Sequence, residues 1–316
     1  MSRAQNRWRE LLGRFGLLLA FIAMTLVLSF LSDRFLTVGN VTNVLRQISV
    51  NALLAFGMTV VIIGAGIDLS VGSLLAFAGA IAAGTAVAGI DPILSILLGL
   101  LTGVALGAFN GAFVAYGRIA PFIVTLAGLT IFRGMTLVYT GGRPISGLPE
   151  AYYVLGNETF LGLPIPVWIT LLFLLLTHFI LRHTSLGRSV YAVGGNEEAA
   201  HLSGIRVARV KLFTYAYSGL AAGLAALVFT GRLNSAQPTA GTGYELDAIA
   251  AVVVGGTSLA GGRGNVWGTL LGALIIGVLN NGMNLLNVSS FYQQIVKGGV
   301  ILAAVLIERL TSSRES

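Results

Sequence analysis

Long apolar runs alternate with short polar connections along almost the whole of this chain. A helix needs about 20 mostly apolar residues to cross the hydrocarbon core of a bilayer, and ten runs approach or reach that length. We therefore predict an all-α, polytopic membrane protein with about ten transmembrane helices. The predicted spans are residues 15–32, 45–64, 70–88, 93–116, 120–140, 166–181, 212–231, 245–259, 266–284 and 291–309.

These spans predict one transmembrane domain over residues 1–316, with residues 15–309 as its membrane-spanning region. The first span follows a basic segment, is longer than the apolar region of a signal peptide and lacks a small-residue cleavage site. We expect it to be an uncleaved first helix. The least clearly marked spans are the second, which begins with Arg46 and Gln47, and the short eighth.

Composition also favours a membrane location, because 55% of the residues are hydrophobic and only 10% are charged. The net charge of +7 does not indicate a nucleic-acid partner, since the basic residues are scattered among the apolar spans. With the N-terminus inside, the predicted inner segments hold 13 of the 19 Lys and Arg residues and the outer segments hold 6. Basic residues concentrate on cytoplasmic segments. Both termini and the polar connection at residues 182–211 are therefore predicted to be cytoplasmic.

Motifs for covalent chemistry are missing from the chain. Each of the two lysines, Lys211 and Lys297, follows a valine, so there is no Gly-Lys-Ser/Thr phosphate-binding loop. His178 and His183 lack the spacing of the zinc-protease helix motif, and the chain has no cysteine. We predict no catalytic residue, no metal site and no cofactor.

Two segments suggest an internal repeat. Residues 57–81 and 247–276 each contain an apolar run, a glycine-rich break, and then Gly-Ser/Thr-Leu-Leu at the start of another apolar run. Both breaks face the cytoplasm in the predicted topology, as in the parallel repeats of some transporters. The alternative is that glycine-rich helical hairpins simply look alike.

The polar connection contains "GGNEEAAHLSGI", which predicts a helix of about two turns. Asn196 is a good N-cap, and Glu197 and Glu198 fall on the first turn, where the helix dipole favours acids. Gly204 suits the left-handed residue that ends a helix. So short a helix is unstable alone in water and needs a surface to hold it. The alternative is a solvated loop without a partner.

Three stretches carry a resemblance to a known family: "SVNALLAFGMTVVIIGAGIDLSVGSLLA", "GRSVYAVGGNEEAAHLSGI" and "RLNSAQPTAGTGYELDAIAAVVVGGTSLAGGRGNVWGTLLGALIIGVLNNGMNLL". They resemble the membrane permease subunit of bacterial ABC sugar importers, above all those of ribose transport systems. The resemblance covers residues 35–309.

The resemblance implies a permease of the bacterial cytoplasmic membrane that forms the translocation pathway with a second copy of itself. Its other partners would be an ABC ATPase subunit, an extracytoplasmic sugar-binding protein and membrane lipid. The short helix from Asn196 to Ser203 would be the coupling helix that enters a cleft of the ATPase. By this resemblance, the residues that would couple to the ATPase are Asn196, Glu197, Glu198, Ala199, His201, Leu202 and Gly204.

Several polar residues inside predicted spans are candidates for the sugar pathway: Asn51, Thr59, Asn280 and Asn284. Asn280, Asn284 and Asn287 have helical spacing and would share one face. Amides on such a face could hydrogen-bond sugar hydroxyls, but polar side chains in membranes also link helices to one another. Both interpretations stay open.

Each acidic residue near a span can likewise be interpreted as functional or as structural. Asp68 could be an intramembrane functional acid, although a cap at the start of the third span is the favoured interpretation. Glu245 and Asp247 could be ordinary first-turn acids or part of the surface that meets the binding protein. A second function, an ion-coupled secondary sugar transporter, would need acids in mid-span, whereas these acids fall at span ends.

Overall fold

The computed structural model describes the backbone of residues 3–312 and the side chains of residues 16–303, 305 and 306. Helices make up about three quarters of this part of the chain, which agrees with the predicted all-α class. The helices are α1 (Arg3–Leu31), α2 (Val38–Ile63), α3 (Val71–Val87), α4 (Pro92–Ala115), α5 (Pro121–Thr140), α6 (Glu150–Asn157), α7 (Ile165–His183), α8 (Ser185–Gly195), α9 (Glu197–Leu202), α10 (Val207–Leu233), α11 (Tyr244–Val254), α12 (Val266–Leu285) and α13 (Ser290–Ser312). The strands are β1 (Ile145–Ser146), β2 (Thr159–Phe160), β3 (Leu163–Pro164) and β4 (Ser235–Ala236).

Within the described residues, six helices are long and apolar enough to cross a membrane: α2, α4, α5, α7, α10 and α12. The apolar part of α1, Gly16–Leu31, and α3 are shorter. Helix α11 has 11 residues, so it measures roughly 16 Å and is too short to cross by itself. The count of ten spans and the sidedness of the termini stay predictions.

The second predicted span starts too late in the sequence. Helix α2 begins at Val38, because the hydroxyl of Thr37 accepts a hydrogen bond from the backbone N–H of Asn40 and caps the helix. Its first three turns contain Asn40, Asn43 and Arg46. These polar residues keep the local hydropathy low and hide the start of the helix from a search for apolar runs.

Helix α2 lies at the centre of the bundle, where it packs against α7, α10, α11 and α12. Its side chains are buried almost without interruption from Ile48 to Ile63. Helices α4 and α10 approach closely through glycines, and a Cβ on Gly219 would collide with the carbonyl oxygen of Gly103. Small residues permit this approach between membrane helices, which explains part of the high glycine content.

The prediction that Asp68 caps α3 is wrong. The N-cap residue is Ser70, whose side chain makes no capping hydrogen bond. The fully buried Asp68 carboxylate accepts hydrogen bonds from the Ser70 N–H, the Ser70 hydroxyl and the Ser218 hydroxyl. Asn110 donates to the Ser70 hydroxyl at 2.8 Å. The acid therefore ties the break between α2 and α3 to α10 and, through Ser70, to α4.

The two segments of the suggested repeat both fold as helix, break and helix, and they pack against each other. The hydroxyls of Thr59 in α2 and Thr269 in α12 lie 2.7 Å apart, and the Gly262 N–H donates to the Ile63 carbonyl at 2.9 Å. The local details differ, because the N-cap side chain of α12, Asn265, accepts a hydrogen bond from Gly268, whereas that of α3 accepts none. The repeat stays a prediction.

Candidate functional site: the short helix between two apolar spans

The polar connection at residues 182–211 contains more regular structure than the sequence suggested. Between α7 and α10 the chain forms two helices, α8 and α9. Thr184 caps α8, since its hydroxyl accepts a hydrogen bond from the Gly187 N–H at 3.0 Å. The sequence reading missed α8, although Thr184 and the buried Val190 and Val193, three residues apart, are signals that could have revealed it.

The predicted two-turn helix is confirmed as α9. The side-chain oxygen of Asn196 accepts a hydrogen bond from the Ala199 N–H at 2.9 Å. At the other end Gly204 has φ +82°, the Gly204 N–H donates to the His201 carbonyl, and the Ile205 N–H donates to the Ala200 carbonyl. This pair of bonds is a Schellman motif, which needs a residue that tolerates positive φ.

Helix α9 presents most of its surface outward. The residues expected to couple to the ATPase are all exposed: Asn196, Glu197, Glu198, Ala199, His201, Leu202 and Gly204. Leu202 is 81% exposed although it lies outside the apolar helices, whereas Ala200 is buried against the protein. The outward face therefore offers one large apolar side chain among polar ones.

Contacts to the neighbouring helices hold α9 in place. Glu197 forms a salt bridge with Lys211 in the first turns of α10, with an N–O distance of 2.7 Å. The Glu197 side chain is 57% exposed, so the pair contributes at most about 1 kcal/mol. The salt bridge contributes more to the position of α9 than to stability, because it joins α9 to the start of a long apolar helix.

The end of α8 makes a tight contact with two other connections. A Cβ on Gly194 would collide with the Ile63 carbonyl oxygen at the end of α2. The Tyr191 hydroxyl donates to the Gly264 carbonyl at 2.8 Å, and burial raises the pKa of this hydroxyl, an effect that Arg182 opposes. These contacts join α8 to the C-terminal end of α2 and to the segment just before α12.

The candidate pathway residues fall into different environments. Asn51 in α2 and Asn280 in α12 are buried, and the side-chain oxygen of each has no hydrogen-bond partner in the described part of the chain. Thr59 is instead engaged with Thr269, which is a link between helices. Asn284 is exposed and accepts a hydrogen bond from Gln293.

The prediction that three asparagines share one helix face is wrong for Asn287. Helix α12 ends at Leu285, and Asn287 follows with φ +54° and an N–H that donates to the Asn284 carbonyl. Asparagine tolerates this left-handed conformation better than most residues. The left-handed backbone conformation thus explains why an asparagine occurs just after the end of the helix.

One buried polar contact had no signal in the sequence. Lys297 in α13 donates to Asp247 in α11 at 2.9 Å, and the Asp247 side chain is 5% exposed. Asp247 lies in the first turn of α11, as expected, together with Glu245. The pairing joins residues 50 positions apart, so only the packing of α11 against α13 reveals it.

The chain is similar over nearly its full length to known transport proteins. The family model described as "Branched-chain amino acid transport system / permease component" matches residues 40–305. The chain is 52% identical to the ribose import permease protein RbsC of Bacillus subtilis (strain 168), over 95% of this chain and 94% of that protein.

More distant relatives come from Escherichia coli (strain K12). The D-allose transport system permease protein AlsC is 42% identical and the xylose transport system permease protein XylH is 38% identical, each over 95% of this chain and 92% of the relative. No solved structure matches the chain. The matched length and these identities establish that the chain belongs to the branched-chain amino acid transport system / permease component family, as a multi-pass permease of the inner membrane.

Proposed function

We propose that this chain is the permease subunit of an ABC importer for ribose or a related monosaccharide, and that two copies form the translocation pathway. The observation that carries the proposal is the order of similarity at equal coverage of this chain. Identity is 52% to a ribose permease, 42% to an allose permease and 38% to a xylose permease. Such an order is expected if permeases that transport the same sugar are more similar in sequence than permeases that transport different sugars.

The energy source would be an ATPase on a separate chain, because this sequence has no phosphate-binding loop. Helix α9 is the proposed coupling helix. It is capped at both ends, and its exposed Leu202 fits the binding of a helix in a groove, where apolar side chains act as anchors. A sugar-binding protein would deliver the substrate from the other side of the membrane.

The test is sugar uptake by vesicles that contain the purified chain, its ATPase subunit and its binding protein. Labelled ribose should accumulate only when ATP is available to the ATPase and the binding protein is on the opposite side. Labelled allose and xylose, supplied separately with the same binding protein, should accumulate less. Equal uptake without ATP would contradict the proposal.

One observation favours the alternative, an ion-coupled secondary sugar transporter. Asp68, which the sequence placed at a span end, is fully buried, and no salt bridge to it occurs among the described residues. A carrier of this kind would accumulate sugar in response to an ion gradient when the chain is reconstituted alone. The same vesicles, made without the ATPase and given a proton or sodium gradient, separate the two functions.

A further inference from the structure

A groove of about 1050 Å³ lies beside α9, between the connection from α4 to α5 and the start of α10. Its basic lining residues come from two distant segments of the chain: Arg118 from the first, and Arg206, Arg209 and Lys211 from the second. The carboxylates in the lining are Glu197 and Glu198. We call this space the basic groove.

The charge in the basic groove is only partly compensated. Lys211 is paired with Glu197. Arg118, Arg206 and Arg209 have no hydrogen-bond or salt-bridge partner for their guanidinium groups within the part of the chain that the structure describes. The lining thus contains one unpaired carboxylate, Glu198, and three unpaired arginines within the described residues. Cationic charge therefore exceeds anionic charge, and an anion with several oxygen acceptors would complement it.

The backbone at Arg118 supports a role for its side chain. Arg118 has φ +52°, a left-handed conformation that costs an L-residue roughly 1–2 kcal/mol relative to the right-handed one. The residue lies in the tight connection between Ala115, where α4 ends, and Pro121, where α5 begins. A glycine would relieve the strain, so an arginine here suggests that its charge is used.

The other wall of the basic groove is apolar and continues onto the outer surface of the helix bundle. Val114, Ile119 and Pro121 line the groove. Next to them, Phe113 in α4 and Phe122 in α5 are 44% and 55% exposed. The groove thus joins a cationic end to a surface that suits acyl chains, at the ends of the long apolar helices α4, α5 and α10, where lipid headgroups lie.

We propose that the basic groove binds the headgroup phosphate of one anionic phospholipid from the leaflet on the predicted cytoplasmic side. Its acyl chains would lie along the exposed apolar side chains of α4 and α5. Basic pockets between membrane helices bind anionic headgroups in this way. The lipid would then contact both the connection after α4 and the base of the coupling helix.

The absence of cysteine permits a direct test. A fluorescent label on Phe122→Cys reports quenching by phospholipids with brominated acyl chains in reconstituted vesicles. Brominated phosphatidylglycerol should quench more strongly than brominated phosphatidylcholine, with a preference of about fivefold for each arginine engaged. The preference should vanish in the R118Q/R206Q/R209Q variant. A label on Leu94→Cys, exposed at the opposite end of α4, should report no preference.

The matched control is Arg143→Gln, which removes an exposed arginine from the connection after α5 and should leave the preference unchanged. Equal quenching by both lipids would overturn the proposal. Loss of the preference in millimolar inorganic phosphate would assign the groove to free phosphate instead. Loss of the preference on addition of the ATPase subunit would mean that the ATPase occupies the groove, and would also overturn it.

Discussion

The Ser218 hydroxyl in α10 donates a 2.8 Å hydrogen bond to the buried carboxylate of Asp68 in the break between α2 and α3. The chain reaches Ser218 only eleven residues after Val207, where α10 begins shortly after α9. This bond therefore joins the helix that follows α9 to an irregular segment inside the bundle.

Replacing Ser218 by Ala should remove a donor from a buried acid. We expect the free energy of unfolding to fall by about 1–3 kcal/mol, because a buried acceptor loses a partner. The measurement is denaturant-induced unfolding of the purified chain in detergent. Ser189→Ala is the control, since Ser189 is only partly buried and, among the described residues, its hydroxyl bonds only to the Ser185 carbonyl of its own helix. Equal stability of both variants would show that the bond to Asp68 contributes nothing.

How far the sequence could predict this structure depends on the range of the interactions. The caps of α9 were predictable, because Asn196 and Gly204 act on backbone groups within a few residues. The contacts of Asp68 with Ser218 and of Asp247 with Lys297 were not, since each depends on which helices become neighbours. Hydropathy likewise found the largely exposed α4 easily, but it misplaced the start of the central α2, whose polar first turns pack against other parts of the protein.

The predicted topology can be tested with single cysteines in this cysteine-free chain. Substitutions at Gln5, Gly195 and Ser313 should react with a membrane-impermeant thiol reagent only from the cytoplasmic side, because the basic residues favour that orientation. Gly195 is a suitable site, as a Cβ added there would meet nothing within 4 Å from other described parts of the protein. Reaction of the Gly195→Cys variant from outside would contradict the predicted topology and, with it, the proposed contact of α9 with a cytoplasmic ATPase.

The coupling role of α9 predicts a loss of transport without a loss of folding. Leu202→Asp should weaken ATPase binding, because a charge would enter an apolar contact, while the exposed position spares the fold. Gly204→Val should disturb the helix end, since a β-branched residue resists positive φ. Both variants should insert normally, yet co-purify with less ATPase and support several-fold less ATP-driven uptake.

The matched control for ATPase binding is Leu161→Asp, which places the same charge at an exposed leucine between β2 and β3. It should co-purify with as much ATPase as the unmodified chain. Normal complex formation and uptake in both α9 variants would identify the segment as a solvated connection.

The last prediction separates Asn51, a candidate pathway residue, from Thr59, whose hydroxyl bonds to a second helix. Asn51→Ala should lower sugar uptake with little change in stability, because the side-chain oxygen of Asn51 has no protein partner to lose among the described residues. Thr59→Val should instead lower stability by roughly 1 kcal/mol, a common value for a hydrogen bond between membrane helices, since it breaks the bond to Thr269. Thermal unfolding and ATP-driven uptake, measured on both variants, give the two readouts. If Asn51→Ala destabilises the chain while uptake per folded molecule stays normal, Asn51 is a packing residue, and the pathway must be sought elsewhere.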